Sequence, residues 1–195
     1  MAAEFRVLFV GYIRDRGHQG PGTSRIASTI SFVRDGEIRA IIDPGMVPAP
    51  HVILRALEAL LDSPEQITDV ILSHHHPDHT MNVALFPNAR VHDFWAVYRG
   101  DAWQTRAAEG FAISPSIRLI QTPGHTPQDV TTVVSTDEGI AAFTHLWWSA
   151  EGPSEDPSAS DREALHRNRI RVLEQATLIV PGHGAPFRVT PDTPR

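Results

Sequence analysis

The sequence contains no cysteine and no lysine, and these two absences restrict its chemistry strongly. Without cysteine there are no disulfides, zinc fingers, iron–sulfur clusters or cysteine nucleophiles, so any metal must be held by His, Asp or Glu. Without lysine there is no Schiff-base or lysine-nucleophile chemistry, and all 17 basic residues are arginines. The net charge is −6, so the overall field of the protein does not attract polyanions.

Long hydrophobic runs are missing as well. The apolar stretch near the start, Val7 to Ile13, is broken by Gly11 and followed at once by charged residues. A signal peptide needs a longer apolar core and a small-residue cleavage site, and no run approaches the length that spans a membrane. We therefore expect a soluble protein of the cytoplasm with no membrane contact.

The length and composition predict a single folded domain over residues 1–195. The chain is 41% hydrophobic and 21% charged, which is ordinary for a globular protein with a sizeable core. Short runs rich in Val and Ile that end at Gly, Pro, Asp or His predict strands. These runs are Phe5–Tyr12, Thr29–Arg34, Arg39–Asp43, Asp69–Ser73, Ile117–Gln121, Val130–Ser135, Ile140–Thr144 and Thr177–Val180.

Two segments have the periodicity of amphipathic helices. They are His51–Asp62 and Ser160–Ala176, and the second has Ser160 or Asp161 as its expected N-cap. Weaker helical patterns cover His79–Leu85 and Asp101–Glu109. Strands in two batches with helices between them predict a layered α/β or α+β domain.

Six of the eleven histidines stand at the ends of apolar runs, beside Gly or Pro. They are His74, His76, His79, His125, His145 and His183. The ends of strands in one sheet lie close together, so these side chains can converge on a metal, with zinc and iron as the usual outcome of a His and Asp set. Four lone histidines are expected to be ordinary surface or helix-capping residues, although the third also fits a strand: His18, His51, His92 and His166.

The densest cluster is the stretch SHHHPDHT, which holds four histidines and one aspartate in six consecutive positions. Side chains of an extended segment repeat every second residue, so His74 and His76 can face one ion while His75 points away. Asp78 and His79 point differently and can serve a second ion. Elsewhere in the chain, the stretch GPSEDPSA at residues 152–159 is expected to be a surface loop.

These motifs resemble those of a known family. SHHHPDH matches the H-x-H-x-D-H signature of the metallo-β-lactamase superfamily, and IIDPG resembles the strand-end Asp-x-Gly element that precedes it. TPGHT and VPGHG resemble the third-histidine and last-histidine motifs of that superfamily. The resemblance covers essentially the whole chain in the right order. NVALFPNARVH and PGHGAPFRV look closest to a small group within it, metallo-β-lactamase domain-containing protein 1, which is linked to RNA cleavage.

The resemblance implies a fold and a ligand set. The fold would be α/β, a four-layer αβ/βα sandwich of the metallo-β-lactamase type with metals at one edge. The first ion would be bound by His74, His76 and His125. The second would be bound by Asp78, His79 and His183. Asp43 would orient the loop that carries these ligands. The cofactor would be one or two divalent ions, zinc first, with iron and manganese as alternatives.

One position departs from the family. The family has an Asp that bridges both ions where this chain has His145, after the strand GIAAFT. A carboxylate has two oxygens and can bridge, whereas a neutral imidazole offers one free lone pair. Either His145 is a terminal ligand, or the site holds one ion firmly and the second weakly, or the side chain swings out. We favour a ligand role for His145.

The leading hypothesis is a metal-dependent hydrolase acting on a small molecule. A metal-bound hydroxide would attack an ester, lactone, thioester or related bond, and Asp78 would be the catalytic residue that handles the proton of the water. The alternatives are a metal-dependent ribonuclease, with RNA as partner, and a mono-iron thiol oxidoreductase. A non-catalytic metal-binding protein is a further class, which the intact ligands argue against.

Two further sets of residues bear on these alternatives. A phosphate path for RNA would use Arg162, Arg167, Arg169 and Arg171, although the spacing of Glu163 and Arg167 also fits a paired, solvated helix face. Trp147 and Trp148 either wall the substrate pocket or divide between core and interface. Further aromatic residues are expected at the pocket rim or in a homodimer contact: Trp95, Tyr98 and Trp103.

Overall fold

A computed structural model describes residues 2–15 and 24–195. Within these ranges the chain forms fourteen strands. They are β1 (Glu4–Phe9), β2 (Tyr12–Asp15), β3 (Ser24–Ala27), β4 (Ile30–Asp35), β5 (Ile38–Ile42), β6 (Asp69–Ile71), β7 (Arg90–His92), β8 (Ala96–Arg99), β9 (Ala102–Thr105), β10 (Ile117–Gln121), β11 (Val130–Thr136), β12 (Gly139–Thr144), β13 (Leu178–Pro181) and β14 (Phe187–Arg188). The described helices are α1 (His51–Glu58), α2 (Pro77–Thr80) and α3 (Arg162–Leu173), with short 3-10 turns at Pro64–Gln66 and Val83–Leu85.

The strands form two large mixed sheets. The first has the order β1-β4-β5-β6-β7-β8-β9, and the second has the order β10-β11-β12-β13-β14. A separate antiparallel pair is made by β2 and β3. In each large sheet the central strands are parallel neighbours, β5 with β6 and β12 with β13. Their carboxyl ends therefore meet at one edge, which is where side chains following those strands converge.

The core explains the layering. Successive side chains of a strand face opposite sides, so Ile42 of β5 joins the core between the sheets while Ile41 faces outward. On that outer face Ile53 and Leu57 of α1 cover the first sheet. On the far side, Leu165 and Val172 of α3 cover the second sheet. The result is a helix–sheet–sheet–helix arrangement, which confirms the predicted αβ/βα sandwich.

Most predicted elements are present, with shorter helices than the patterns indicated. Asp161 is the N-cap of α3, since its side chain accepts a hydrogen bond from the backbone N–H of Ala164 at 2.9 Å. The predicted strand Phe5–Tyr12 is two strands, β1 and β2. The helix predicted over Asp101–Glu109 is wrong: residues 102–105 form β9, which pairs with β8 at the edge of the first sheet. This pairing overrides a weak helical preference.

No helix in the described part of the chain is both long and apolar enough to cross a membrane.

Candidate metal centre

Two groups of side chains meet where the carboxyl ends of the central strands face each other. His74, His76 and His125 form the first group, and Asp78, His79 and His183 form the second. The loops after β6, β10 and β13 carry them. Backbone hydrogen bonds join these loops across the sheets, from the Val130 N–H to Ser73 O at 2.8 Å and from the Thr29 N–H to Gly182 O at 2.7 Å. The structure thus brings together both sets that the resemblance implied, although their ligand roles stay predictions.

The first group has its ring nitrogens close together. Nε2 of His74 lies 2.9 Å from Nδ1 of His76, and Nε2 of His125 lies 3.2 Å from the same atom. The Nδ1 atom of His125 lies 2.7 Å from Oδ2 of Asp156, so it carries the proton and donates it to that carboxylate. Nε2 of His125 is then a bare lone pair directed into the group. Tetrahedral zinc needs nitrogens at about this separation, with Zn–N bonds of about 2.0 Å.

The second group is oriented in the same way. Nδ1 of His79 lies 2.9 Å from Oδ2 of Asp43, and Nδ1 of His183 lies 2.9 Å from the carbonyl oxygen of Ala27. Both Nε2 atoms are therefore free to bind a metal. They lie 3.4 Å and 3.6 Å from Oδ2 of Asp78. Nε2 of His79 is buried and has no hydrogen-bond partner among the described residues.

His145 lies between the two groups. Its ring centroid is 4.1 Å from that of His125 in the first group and 5.0 Å from that of His183 in the second. Nε2 lies 3.0 Å from Nε2 of His183, while Nδ1 is buried without a hydrogen-bond partner in the described part of the chain. The side chain does not swing out, so that alternative is excluded. A ligand role remains a prediction that the position supports.

Burial keeps the central histidines neutral. Burial among other histidines holds the pKa of His74 and of His145 well below the ordinary value of 6.5. Burial and the neighbouring His79 lower the pKa of His183 to about 4. Neutral imidazoles are the form that binds metals, so His74, His145 and His183 are in the ligating form at neutral pH.

Asp43 holds the ligand loop through an uncommon backbone conformation. It has φ +52°, in the left-handed region that non-glycine residues rarely adopt. In this position Oδ1 accepts a hydrogen bond from the Ser73 N–H at 2.7 Å, and Oδ2 accepts from His79. Two residues on, Gly45 approaches so closely that a Cβ there would lie 1.7 Å from the carbonyl oxygen of Asp78. The predicted orienting role of Asp43 agrees with these contacts.

Asp156 is a site residue that the sequence did not reveal. The loop at 152–159 was expected to be an ordinary surface loop, but Asp156 is buried, with 1% of its surface exposed. It accepts from His125, and also from the Nε1–H of Trp148 at 3.1 Å. Burial acts to raise its pKa, but the hydrogen bonds from His125 and the Ser158 N–H hold it below the ordinary value. No local pattern marks this residue, because its partner is 31 positions away.

The other predicted residues divide between surface, core and site. His75 points away from both groups, as predicted, and its Nε2 lies 3.1 Å from Oδ2 of Asp93. His51 and His166 are exposed, whereas His92 is a buried residue of β7 whose Nε2 lies 2.7 Å from Oδ1 of Asp69. His18 lies outside the described residues.

The two tryptophans after His145 have different surroundings. Trp147 is fully buried in the core beside α3, so it does not wall a pocket. Trp148 is partly buried, and its ring centroid lies 6.4 Å from that of His183. Only Trp148 of this pair is therefore placed beside the site.

The arginines of α3 are all engaged within the chain. Arg169 is buried and donates to the carbonyl oxygens of Leu146 and Ser154, at 2.8 Å and 2.5 Å. Arg171 pairs with Glu109 at 2.5 Å. The exposed pairs are longer, Arg167 with Glu163 at 3.6 Å and Arg162 with Glu155 at 3.7 Å. The prediction of a phosphate path that includes Arg169 is wrong, because that side chain faces the protein interior.

The donor set fits a divalent metal. The Nε2 lone pairs of His79, His125 and His183 are directed into a buried cluster of imidazoles, and one carboxylate oxygen faces the second group. Lone pairs gathered in this way suit a bound cation. The fold and these ligand groups define a metal-dependent hydrolase of the metallo-β-lactamase type.

The comparison with protein families agrees with this class. The chain belongs to the Metallo-beta-lactamase superfamily, whose model matches residues 24–185. It is 28% identical to metallo-beta-lactamase domain-containing protein 1 of Xenopus laevis, over 94% of this chain and 80% of that protein. It is 35% identical to the human protein of the same name, over 76% of this chain and 59% of that protein. The resemblance to this group is thus confirmed, and the chain spans less than two thirds of the human relative.

Solved structures share the fold. A Thermotoga maritima protein described as a candidate metallo-beta-lactamase superposes with a TM-score of 0.75 at 19% identity, over 97% of this chain and all of that chain. An N-acyl homoserine lactone hydrolase, with its product N-hexanoyl-L-homoserine bound at the catalytic metal centre, superposes with a TM-score of 0.67 at 16% identity. That match covers 93% of this chain and 92% of the other.

Proposed function

We propose that the protein hydrolyses an ester, lactone or thioester bond of a small molecule at a divalent metal centre, with a lactone or ester as the favoured substrate. The main support for this proposal is that the two ligand groups lie side by side with lone pairs directed inward. In three of the histidines the Nδ1 atom carries the proton and donates it to a hydrogen bond, which leaves Nε2 as the lone pair. His79, His125 and His183 are all held in this way. The lactone hydrolase of the same fold supports the bond class.

Each group of residues has a separate proposed role in hydrolysis. Zn²⁺ held by these groups would lower the pKa of a water molecule and polarise the substrate carbonyl. Asp78 would accept the proton of that water at Oδ2, and the distances of 3.4 Å and 3.6 Å from this oxygen to the Nε2 atoms of His79 and His183 support that role. Asp43 and Asp156 keep the imidazoles of His79 and His125 in the required tautomer.

Zinc is the proposed metal because imidazole with one carboxylate is a donor set that zinc accepts readily. Iron and manganese are the alternatives. The proposed location is the cytoplasm, and a small-molecule substrate is the proposed partner. A homodimer through the exposed aromatic residues Trp95 and Trp103 remains a prediction.

The test is a panel assay on metal-stripped protein reloaded with Zn²⁺, Mn²⁺ or Fe²⁺. The substrates would be N-acyl homoserine lactones, aryl esters, thioesters, a bis-aryl phosphodiester and single-stranded RNA. We expect metal-dependent turnover of a lactone or ester, lost in His125→Ala and strongly reduced in Asp78→Asn. His166→Ala, an exposed histidine on α3, is the matched control and should keep full activity. Turnover of RNA alone would reject the proposal in favour of the ribonuclease.

A ribonuclease remains the second candidate because the sequence resembles a group that is linked to RNA cleavage. The arginines of α3 do not support this candidate. Each of the four is paired with an acid or a backbone carbonyl. The mono-iron oxidoreductase is supported by the all-histidine first group, and oxygen uptake by the iron-loaded protein with a thiol would favour it over hydrolysis.

A further inference from the structure

Arg169 of α3 carries a buried positive charge that is only partly paired. Its side chain is 1% exposed, and a guanidinium group stays protonated in proteins. Nε donates to Leu146 O at 2.8 Å and Nη1 donates to Ser154 O at 2.5 Å, but Nη2 is buried and has no hydrogen-bond partner in the described part of the chain. The other three arginines of α3 each pair with a glutamate, whereas Arg169 has no carboxylate partner among the described residues. A buried charge with an unused donor is costly, so this side chain favours a bound anion.

Asp156 lies close enough to act on Arg169 through space, but it does not supply the missing acceptor. Burial lowers the pKa of Arg169, and the charge of Asp156 offsets part of this effect. Both carboxylate oxygens of Asp156 already have donors. Oδ2 accepts from His125 and Trp148, and Oδ1 accepts from the Ser158 N–H at 2.8 Å. Nη2 of Arg169 therefore remains without a partner beside a carboxylate whose lone pairs are engaged elsewhere.

A cavity of about 300 Å³ lies at this guanidinium. One face of α3 contributes Arg162, Leu165, His166 and Arg169, which have the spacing i, i+3, i+4 and i+7. Ser154, whose carbonyl oxygen accepts from Nη1, also lines the cavity, whereas Leu146, which accepts from Nε, does not. The Nη end of Arg169 therefore faces the cavity, and the Nε side faces the protein interior.

The lining of this cavity favours negative charge. Its charged residues are three arginines and two acids, with one histidine: Arg162, Arg169, Arg195, Glu155, Asp156 and His166. Glu155 is held loosely, at 3.7 Å from Arg162, and these two side chains are 81% and 65% exposed. Both can rearrange in solvent at little cost, because exposed ion pairs are weak. None of the lining residues is a predicted metal ligand, so the cavity is distinct from the metal centre.

We propose that this cavity binds a phosphate group, either free or as the monoester of a small molecule, with Nη2 of Arg169 as the buried donor and Arg162 as the surface contact. A phosphate has several acceptor oxygens, so it can satisfy donors that approach from different sides, and arginine is the side chain best suited to it. The volume leaves room for a small organic group beside the phosphate. The proposal is independent of the bond that the metal centre hydrolyses.

The test is a titration of the zinc-loaded protein at constant ionic strength, followed by calorimetry. The probes are inorganic phosphate and phenylphosphonate, which imitates a phosphate monoester but has no ester bond to hydrolyse. Nuclear magnetic resonance of ¹⁵N-labelled protein gives a local signal, the Nε–H of Arg169, which is hydrogen-bonded to Leu146 O. The reference signal is the Nε–H of Arg39, which pairs with Asp62 on the first sheet.

Three variants separate the cavity from other sites. Arg162→Gln removes an exposed charge that lines the cavity. Arg167→Gln is the matched control, because this arginine lies on the same helix, is also 65% exposed and pairs with a glutamate, but does not line the cavity. Arg169→Lys keeps the buried charge and loses the forked donor. Phosphate bound at the metal centre would respond to neither Arg162→Gln nor Arg167→Gln.

We expect one phosphate per chain, with affinity about fivefold lower in Arg162→Gln, about tenfold or more lower in Arg169→Lys, and unchanged in Arg167→Gln. The Nε–H signal of Arg169 should move on titration while that of Arg39 stays. Tighter binding of phenylphosphonate than of phosphate would support an organic monoester as the source, and the reverse order would support free phosphate. The absence of saturable binding, equal affinity in Arg162→Gln and Arg167→Gln, or binding that leaves the Arg169 signal fixed would overturn the inference. If Arg169→Lys does not fold, the comparison of the two glutamine variants decides.

Discussion

His145 is the residue that distinguishes this site from the family pattern. A carboxylate at this position would add a negative charge between two cations, but the imidazole is buried, neutral and already 3.0 Å from Nε2 of His183. We therefore expect one tightly held ion and a weakly held second ion. The His145→Asp variant should raise the occupancy of the second ion.

Metal analysis by mass spectrometry after dialysis against a weak chelator checks this prediction. His166→Asp, which adds the same carboxylate at an exposed position, is the control. Two ions per chain in both the unaltered protein and His145→Asp would show that the second site is not weak.

Asp156 acts on the metal through His125, so its removal should weaken metal binding more than folding. Asp156→Asn keeps the shape but loses the charge that holds the protonated Nδ1 of His125 at 2.7 Å. We expect zinc affinity to fall about 10- to 100-fold, measured by competition with a chromophoric chelator. Asp161→Asn, which changes the N-cap of α3, is the control and should leave zinc affinity unchanged. Equal affinity in both variants would contradict the positioning role.

At the scale of elements, the segment Asp43–Gly45 packs so closely against α2 that a larger side chain at Gly45 should disrupt the contact. A Cβ at Gly45 would overlap the backbone of Asp78, whereas a Cβ at Gly36, with φ +58°, would meet no atom within 4 Å. Gly45→Ala should displace the HxHxDH loop, reduce zinc affinity and destabilise the fold by about 3 kcal/mol or more. Gly36→Ala should cost about 1 kcal/mol through backbone strain alone and keep the metal. Chemical denaturation with metal analysis tests both, and normal zinc binding by Gly45→Ala would show that the contact is not needed.

The sequence predicted the elements that carry the ligands, because apolar runs that end at Gly, Pro or His mark strand ends. It did not predict β8 and β9, since the residues around Trp103 have no strong alternation and only their pairing decides their state. The sequence also did not predict the surroundings of Asp156 and Arg169. It indicated a surface loop for Asp156 and a basic helix face for Arg169. Both are defined by contacts with distant residues, His125 for the first and Leu146 O and Ser154 O for the second.

At the scale of the whole molecule, the buried histidines should make metal-free protein sensitive to acid. The pKa of His183 falls from 6.5 in the unfolded chain to about 4 in the folded protein, because of burial and the neighbouring His79. The unfolded chain therefore binds more protons between these values, so the free energy of unfolding falls as pH drops from 6.5 to about 4. The lowered pKa values of His74 and His145 act in the same direction as that of His183. Denaturant titration of the metal-stripped protein at several pH values checks this, and a flat profile would contradict it.

The two ligand groups are proposed to hold a metal at which a small-molecule ester or lactone is hydrolysed. The most direct test is a titration of metal-stripped protein with Zn²⁺, with lactone or ester turnover recorded at each addition by pH-stat. We predict that turnover is absent without zinc and reaches a plateau at one to two equivalents per chain, and that His125→Ala stays inactive throughout. Turnover that is unaffected by zinc, or zinc bound with equal affinity by His125→Ala, would contradict the account.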